Sequence, residues 1–166
     1  MTSADLLADG FGRLDGIVHR VLEHATSDLL TFRVDPDANS IAWLIWHLSR
    51  VQDQTVAAHT GAEQAWEAWR ERFGLPFSPR STGYGHSSAD VAAVDVPAEL
   101  LAGYFDDVLT GMLEVVATQT DADLARVVDE SFDPPVTLAV RLVSVLSDSL
   151  QHAGQAAFVK GVFERV

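Results

Sequence analysis

The sequence predicts an all-α protein, a four-helix bundle with short extra helices in its connections, and three observations carry that expectation. Apolar residues recur at three- and four-residue intervals through four segments of roughly 20 to 30 residues, the spacing that gathers them on one helix face. Strand-like alternation of apolar and polar residues is convincing nowhere. At 166 residues and 48% apolar composition the chain suits a single domain, 1–166, with enough material for one shared core.

The first helix is expected over about residues 3–25, on Leu6, Leu7, Phe11, Leu14, Ile17, Val18, Val21 and Leu22, although Gly10, Gly12 and Gly16 weaken its helical propensity. The second should begin at Asn39 or Ser40, either of which can cap it after Asp35-Pro36, and run to about His59. Its apolar stripe is Ile41, Leu44, Ile45, Leu48 and Val51. Residues 62–73, with Trp66 and Trp69, read as a short helix stopped by Gly74. Two prolines and two glycines between Leu75 and His86 predict an irregular loop. A third long helix follows Pro97, with Leu100, Leu101, Phe105, Val108, Leu109, Met112, Val115 and Val116 on one side, and a minor turn occupies 121–127. The last helix is expected to open at Pro135, after the potential cap Asp133, and to reach about Phe163. Four such helices with connections between them fit an antiparallel-type bundle, and the order of packing is left open by the sequence.

Composition excludes several functions. There is no cysteine, hence no disulfide, thiolate ligand or cysteine nucleophile, and any thiol chemistry needs a thiol from outside. A net charge of −13 with no dense lysine/arginine cluster argues against a nucleic-acid partner. The opening Met1-Thr2-Ser3-Ala4-Asp5 lacks a basic region before an apolar run, and no stretch approaches the roughly 18 apolar residues of a membrane span. These features predict a cytoplasmic protein with no membrane association. No Gly-rich phosphate loop and no supported serine nucleophile is present.

The chemistry-bearing residues sit at the edges of two apolar stripes. On the last helix Leu138, Leu142, Val145, Leu146, Ala153 and Ala156 define the buried arc; His152 falls at its border and Asp148 one turn earlier on the same side. An i, i+4 pair is close enough to share one ion. On the second helix His47 lies at the apolar border between Trp43 and Val51. Two imidazoles and a carboxylate make a three-ligand site with an open position, the arrangement of a catalytic metal. Spacing alone favours a second reading, in which Arg141, Ser144, Asp148, Gln151, His152 and Gln155 are the polar face of an ordinary amphipathic helix and His47 is a core-edge histidine bonded to a carbonyl.

The run Asn39-Ser40-Ile41-Ala42-Trp43-Leu44-Ile45-Trp46-His47-Leu48-Ser49-Arg50-Val51-Gln52-Asp53, with Asp148-Ser149-Leu150-Gln151-His152-Ala153-Gly154-Gln155 near the C-terminus, resembles the DinB-like superfamily. It is most similar to the actinobacterial branch that includes mycothiol-dependent maleylpyruvate isomerase and mycothiol S-transferases. The resemblance spans nearly the whole chain. It implies a four-helix bundle, often dimeric, holding a divalent metal through His47, Asp148 and His152. Many superfamily members have histidine at the position of Asp148 and the mycothiol isomerase type has glutamate, so aspartate keeps the acid and shortens the arm by one methylene.

Further candidates surround this trio. Asp53 faces about 120° away from His47 and reads as a surface group or a support for a ligand. Gln155, three residues after His152, is within reach of the site or is solvated on the polar face. His86, after Gly83-Tyr84-Gly85, lies on a loop that can cover a pocket and supply a proton or a fourth ligand, or else is exposed. His19, His24 and His59 show no partners in the sequence.

Two functions follow as expectations. One is a metal-dependent enzyme, with zinc favoured and nickel the alternative, that uses a low-molecular-weight thiol such as mycothiol to transfer to, or isomerise, a small electrophilic substrate as a homodimer. The other is a non-catalytic metal-binding or structural bundle, with a metal-dependent hydrolase as the variant in which water replaces the thiol.

Overall fold

The computed structural model describes residues 1–166. Its elements are α1 (Ser3–Leu22), α2 (Ser27–Thr31), α3 (Ile41–Thr60), α4 (Trp66–Phe73), α5 (Ser88–Ala92), α6 (Ala98–Ala117), α7 (Asp121–Leu124), β1 (Val127–Asp129), β2 (Val136–Thr137) and α8 (Leu138–Phe163). The expected all-α fold is the one observed. α1, α3, α6 and α8 form the bundle, and no helix is long and apolar enough to cross a membrane.

α1 and α3 stand at opposite corners of the bundle, as do α6 and α8. Residue pairs across the four interfaces give the directions. Gly10 approaches Leu146, and Lys160 reaches the Arg20 carbonyl at 2.8 Å, so α1 and α8 are parallel. Tyr104 bonds Arg50 and Asp53 while Gly111 lies against Val56, so α3 and α6 are parallel. The α1/α6 and α3/α8 pairs are antiparallel, for His47 faces Asp148 whereas Ala58 shares a cavity with Leu138. The bundle is thus only half antiparallel. A helix of this length spans ~30 Å, and joining two parallel neighbours requires a crossover back along the bundle. Residues 61–97 are that crossover between α3 and α6.

The crossover explains the burial of α3. Every residue from Ile41 to Arg50 is buried, on both the bundle side and the outer side, because the returning segment covers the outer face. The core is filled by Phe11, Leu14 and Val18 from α1, Leu44, Ile45 and Leu48 from α3, Phe105 and Met112 from α6, and Leu142, Ala153 and Ala156 from α8. Each large side chain buried there is worth about 1.5–3 kcal/mol relative to exposure.

Several element ends differ from the sequence expectation. α1 stops at Leu22, not near residue 25, because His24 adopts a left-handed φ of 55° and Lys160 takes the last carbonyls as a cross-helix cap. The last helix opens at Leu138 rather than Pro135. Val136–Thr137 instead pair antiparallel with Val127–Asp129, a small ladder the sequence did not announce, and the Thr137 hydroxyl, not Asp133, caps the helix by accepting from the Val140 amide. Ser40 caps α3 as expected, and Gly74 ends α4 in the left-handed conformation. α2 and α5, five residues each, are too short for a periodic signal; Thr26 and Ser87 cap them.

Candidate metal centre

The antiparallel α3/α8 interface brings His47, Asp148 and His152 together, with their nearest ligand atoms within 4.8 Å of one another. His47 Nε2 stands 4.0 Å from Asp148 Oδ2, and His152 Nε2 stands 3.4 Å from Asp148 Oδ1. Two ligands each ~2.1 Å from a tetrahedral ion are ~3.4 Å apart, so the trio accepts a common ion with side-chain shifts of under about an ångström.

Both imidazoles are oriented from behind. The Nδ1–H of His47 donates to the Thr82 carbonyl, and the Nδ1–H of His152 donates to Gln155 Oε1 at 3.1 Å. Each bond leaves Nε2 as the lone-pair nitrogen pointing at Asp148, the tautomer a metal ligand requires. Trp43 stacks on the His47 ring at 4.7 Å between centroids and 11° between planes, removing its remaining freedom to turn. Burial holds the His47 imidazole below the ordinary histidine value, opposed by the Thr82 hydrogen bond and by Asp148, so the ring favours its neutral, ligating form. The decisive feature is on Asp148. Its Oδ2 is shut off from solvent, has no hydrogen-bond partner and faces His47 Nε2, while Oδ1 faces His152 Nε2. A buried acceptor left without a donor is costly, and a cation between the three side chains removes that cost.

The Thr82 carbonyl has no sequence signature, and it is placed by a network that sequence reasoning missed. Arg50 is fully buried; its guanidinium donates to the Ser81 carbonyl at 3.0 Å and the Pro79 carbonyl at 3.0 Å, stitching the crossover onto α3 one turn after His47. It also reaches Gln64 at 2.8 Å, Tyr104 at 3.1 Å and Asp53 at 3.3 Å. Asp53 is therefore neither a surface group nor in contact with a ligand. It is buried on the opposite side of α3, where it accepts from the Ala65 and Trp66 amides at 2.9 Å and from the Tyr104 hydroxyl at 2.7 Å, capping α4, whose own first residues offer no side-chain cap. Burial pushes the Tyr104 hydroxyl well above its ordinary range and keeps it a donor. An arginine inside an apolar helix, three residues before an aspartate, was the signal available.

His86 is half-buried, not exposed, and it is not a ligand. Its Nδ1 accepts from the Trp43 indole at 3.1 Å, so the proton sits on Nε2, which pairs with Ser81 Oγ at 2.9 Å. With both nitrogens committed, it acts by fixing Trp43 against His47. Gln155 supports His152, one of the two roles open to it in the sequence. His19 does have partners: its Nε2 lies 2.8 Å from Asp106 and 3.6 Å from Asp15, an exposed polar cluster between α1 and α6. His24 is exposed beside Glu23.

Gly83 packs against the site with φ of 100°, a conformation L residues rarely adopt. A Cβ there would lie 2.8 Å from His47 Nδ1 and 3.0 Å from Trp43. Gly83→Ala is expected to destabilise the fold by about 2 kcal/mol or more and to weaken metal binding by displacing the Thr82 carbonyl. Urea denaturation and metal titration of the variant measure the two effects; unchanged values would show that the segment does not orient His47.

The family model described as the DinB superfamily matches residues 14–156. The crystal structure titled as the conserved protein of locus from Enterococcus faecalis superposes with a TM-score of 0.90 at 26% identity, over 96% of this chain and 96% of that one. No curated protein sequence matches the chain.

Proposed function

The chain belongs to the DinB superfamily, and from that premise we propose that it is a divalent-metal-dependent enzyme whose ligands are His47, Asp148 and His152, with zinc the favoured ion and nickel the alternative. The observation that carries this reading is the Asp148 carboxylate, with one oxygen buried and unpaired, set between two imidazoles whose Nδ1 atoms are already engaged. Two neutral nitrogens and one carboxylate suit a borderline ion such as zinc.

The reaction proposed is thiol transfer to, or thiol-assisted isomerisation of, a small electrophile, with a low-molecular-weight thiol such as mycothiol as cosubstrate. A divalent ion in the site supplies Lewis acidity that ionises a bound thiol or water near neutral pH. The chain's residues do the rest. Asp148 and the two histidines leave at least one position open, Trp43 walls the approach, and the absence of cysteine means the thiol must come from outside. A homodimer belongs to the same proposal, supported by Val143, Leu150 and Phe158 exposed along α8.

A non-catalytic metal-binding bundle is the second reading, favoured by one observation: both nitrogens of His86 are committed, so the nearest histidine outside the trio is not free to act as acid or base. Metal analysis of untagged protein, followed by a thermal-shift series with small thiols, separates the two. A stoichiometric metal and a thiol-dependent rise in melting temperature are expected, since a ligand bound only to the native state stabilises it. Metal without any thiol effect would favour the second reading or metal-dependent hydrolysis.

A further inference from the structure

Where α3 finishes and α8 starts, their shared face opens into a cavity of about 620 Å³ that excludes the three-residue cluster. Gln54, Thr55 and His59 line it from α3, Arg126 and Val127 from the start of the β-ladder, and Arg141 from α8. Its walls hold two guanidinium groups, an imidazole and no carboxylate, in a chain of net charge −13. Arg126 is exposed, and its side chain makes no hydrogen bond or ion pair with the rest of the protein, which leaves its donors free for a ligand. Arg141 is held by one bond to Asp129 Oδ2 at 2.8 Å, which aims the guanidinium while leaving most of its five donors unused. Asp129 engages Arg141 through Oδ2, with its other oxygen taken by Ser131; Asp123, near Arg126 and His59 but not lining the cavity, accepts from Thr120 at Oδ2.

The cavity lies on the stripe that carries the cluster. Gln54 is two turns beyond His47 on α3, and Arg141 is two turns before Asp148 on α8. Because these helices are antiparallel, both steps lead to the same end of the bundle, ~10 Å from the cluster at 1.5 Å rise per residue.

We infer that this cavity is an anion subsite, taking a carboxylate or phosphate group on a small molecule whose reacting end lies at the cluster about 10 Å away. A guanidinium fork donates two parallel hydrogen bonds to either group, and Arg126 and Arg141 present two such forks. The location of the reacting end rests on the proposed function; the anion subsite itself does not. The substrate class that follows is an elongated, acidic small molecule.

The test titrates zinc-loaded protein, and the same protein after chelation, with succinate and separately with inorganic phosphate, following backbone amide shifts. Saturable shifts are expected at Thr55–His59, Arg126–Val128 and Arg141, with affinity about tenfold weaker in Arg126→Gln, a loss of one charge-assisted contact. Stronger binding of succinate assigns a carboxylate, and stronger binding of phosphate a phosphate. Absence of saturable binding by both anions, shifts centred on His47 and His152, or unchanged affinity in Arg126→Gln would each overturn the subsite. Anion binding in a protein that takes up no metal leaves the subsite standing and sinks the metal-enzyme reading; metal uptake without anion binding does the reverse.

Discussion

Replacing His152 with alanine is expected to abolish metal binding while leaving the fold in place. The side chain is one of three converging on a single point, with Asp148 one turn away on the same helix and His47 across the helix interface. Removing a group hydrogen-bonded to a ligand commonly costs ~10–100-fold in metal affinity, and removing the ligand itself should cost more. Gln155→Leu supplies the comparison, because it loses only the acceptor for the His152 Nδ1–H; it is expected to fall within that ~10–100-fold range. Calorimetric titration with zinc reads both values. Thermal unfolding offers a readout independent of activity: metal at 100-fold above its dissociation constant stabilises the native state by about 2.7 kcal/mol, so chelation should lower the melting temperature of the parent protein and leave His152→Ala unmoved. His47→Ala should behave the same way, with an added loss because it also releases the Thr82 carbonyl. Stoichiometric, tight zinc binding by either alanine variant would remove the trio from consideration.

The largest effect on stability is expected from Asp53→Ala, at about 3–5 kcal/mol. The substitution strands the fully buried Arg50 guanidinium without its carboxylate and leaves the Ala65 and Trp66 amides and the Tyr104 hydroxyl without their acceptor. Total stabilities of domains are only about 5–15 kcal/mol, so the variant should unfold at a much lower urea midpoint with an unchanged slope. Metal affinity should fall as well, although Asp53 touches no ligand. Arg50 holds the Ser81 and Pro79 carbonyls, and the adjoining Thr82 carbonyl orients His47. A destabilisation below about 1 kcal/mol would mean that water reaches Arg50 and carries its charge.

Much of this molecule is legible from residue order because helices are periodic. The stripes on α1, α3, α6 and α8, the Ser40 cap, the Gly74 stop and the juxtaposition of Asp148 with His152 all depend on contacts three or four residues apart. The same locality explains the failures. The end of α1 is set by Lys160, nearly the length of the chain away, and the start of α8 by its pairing with Val127–Asp129. Local preference for Pro135 at a first helical position lost to that ladder.

The candidate trio divides along the same line. Periodicity put His47 at the border of one stripe and Asp148 with His152 at the border of another, but it carries no information on which helices are neighbours or how they run. The parallel packing of α3 on α6 forces a crossover, the crossover lays Thr82 beside His47, and Arg50 with Asp53 locks it there. A backbone carbonyl has no letter in the sequence, and the arginines of the cavity come from segments that meet only at the bundle's end. Residue types and helical spacing supplied the candidate ligands; long-range packing supplied their orientation, the burial of His47 and the unpaired oxygen that asks for a cation.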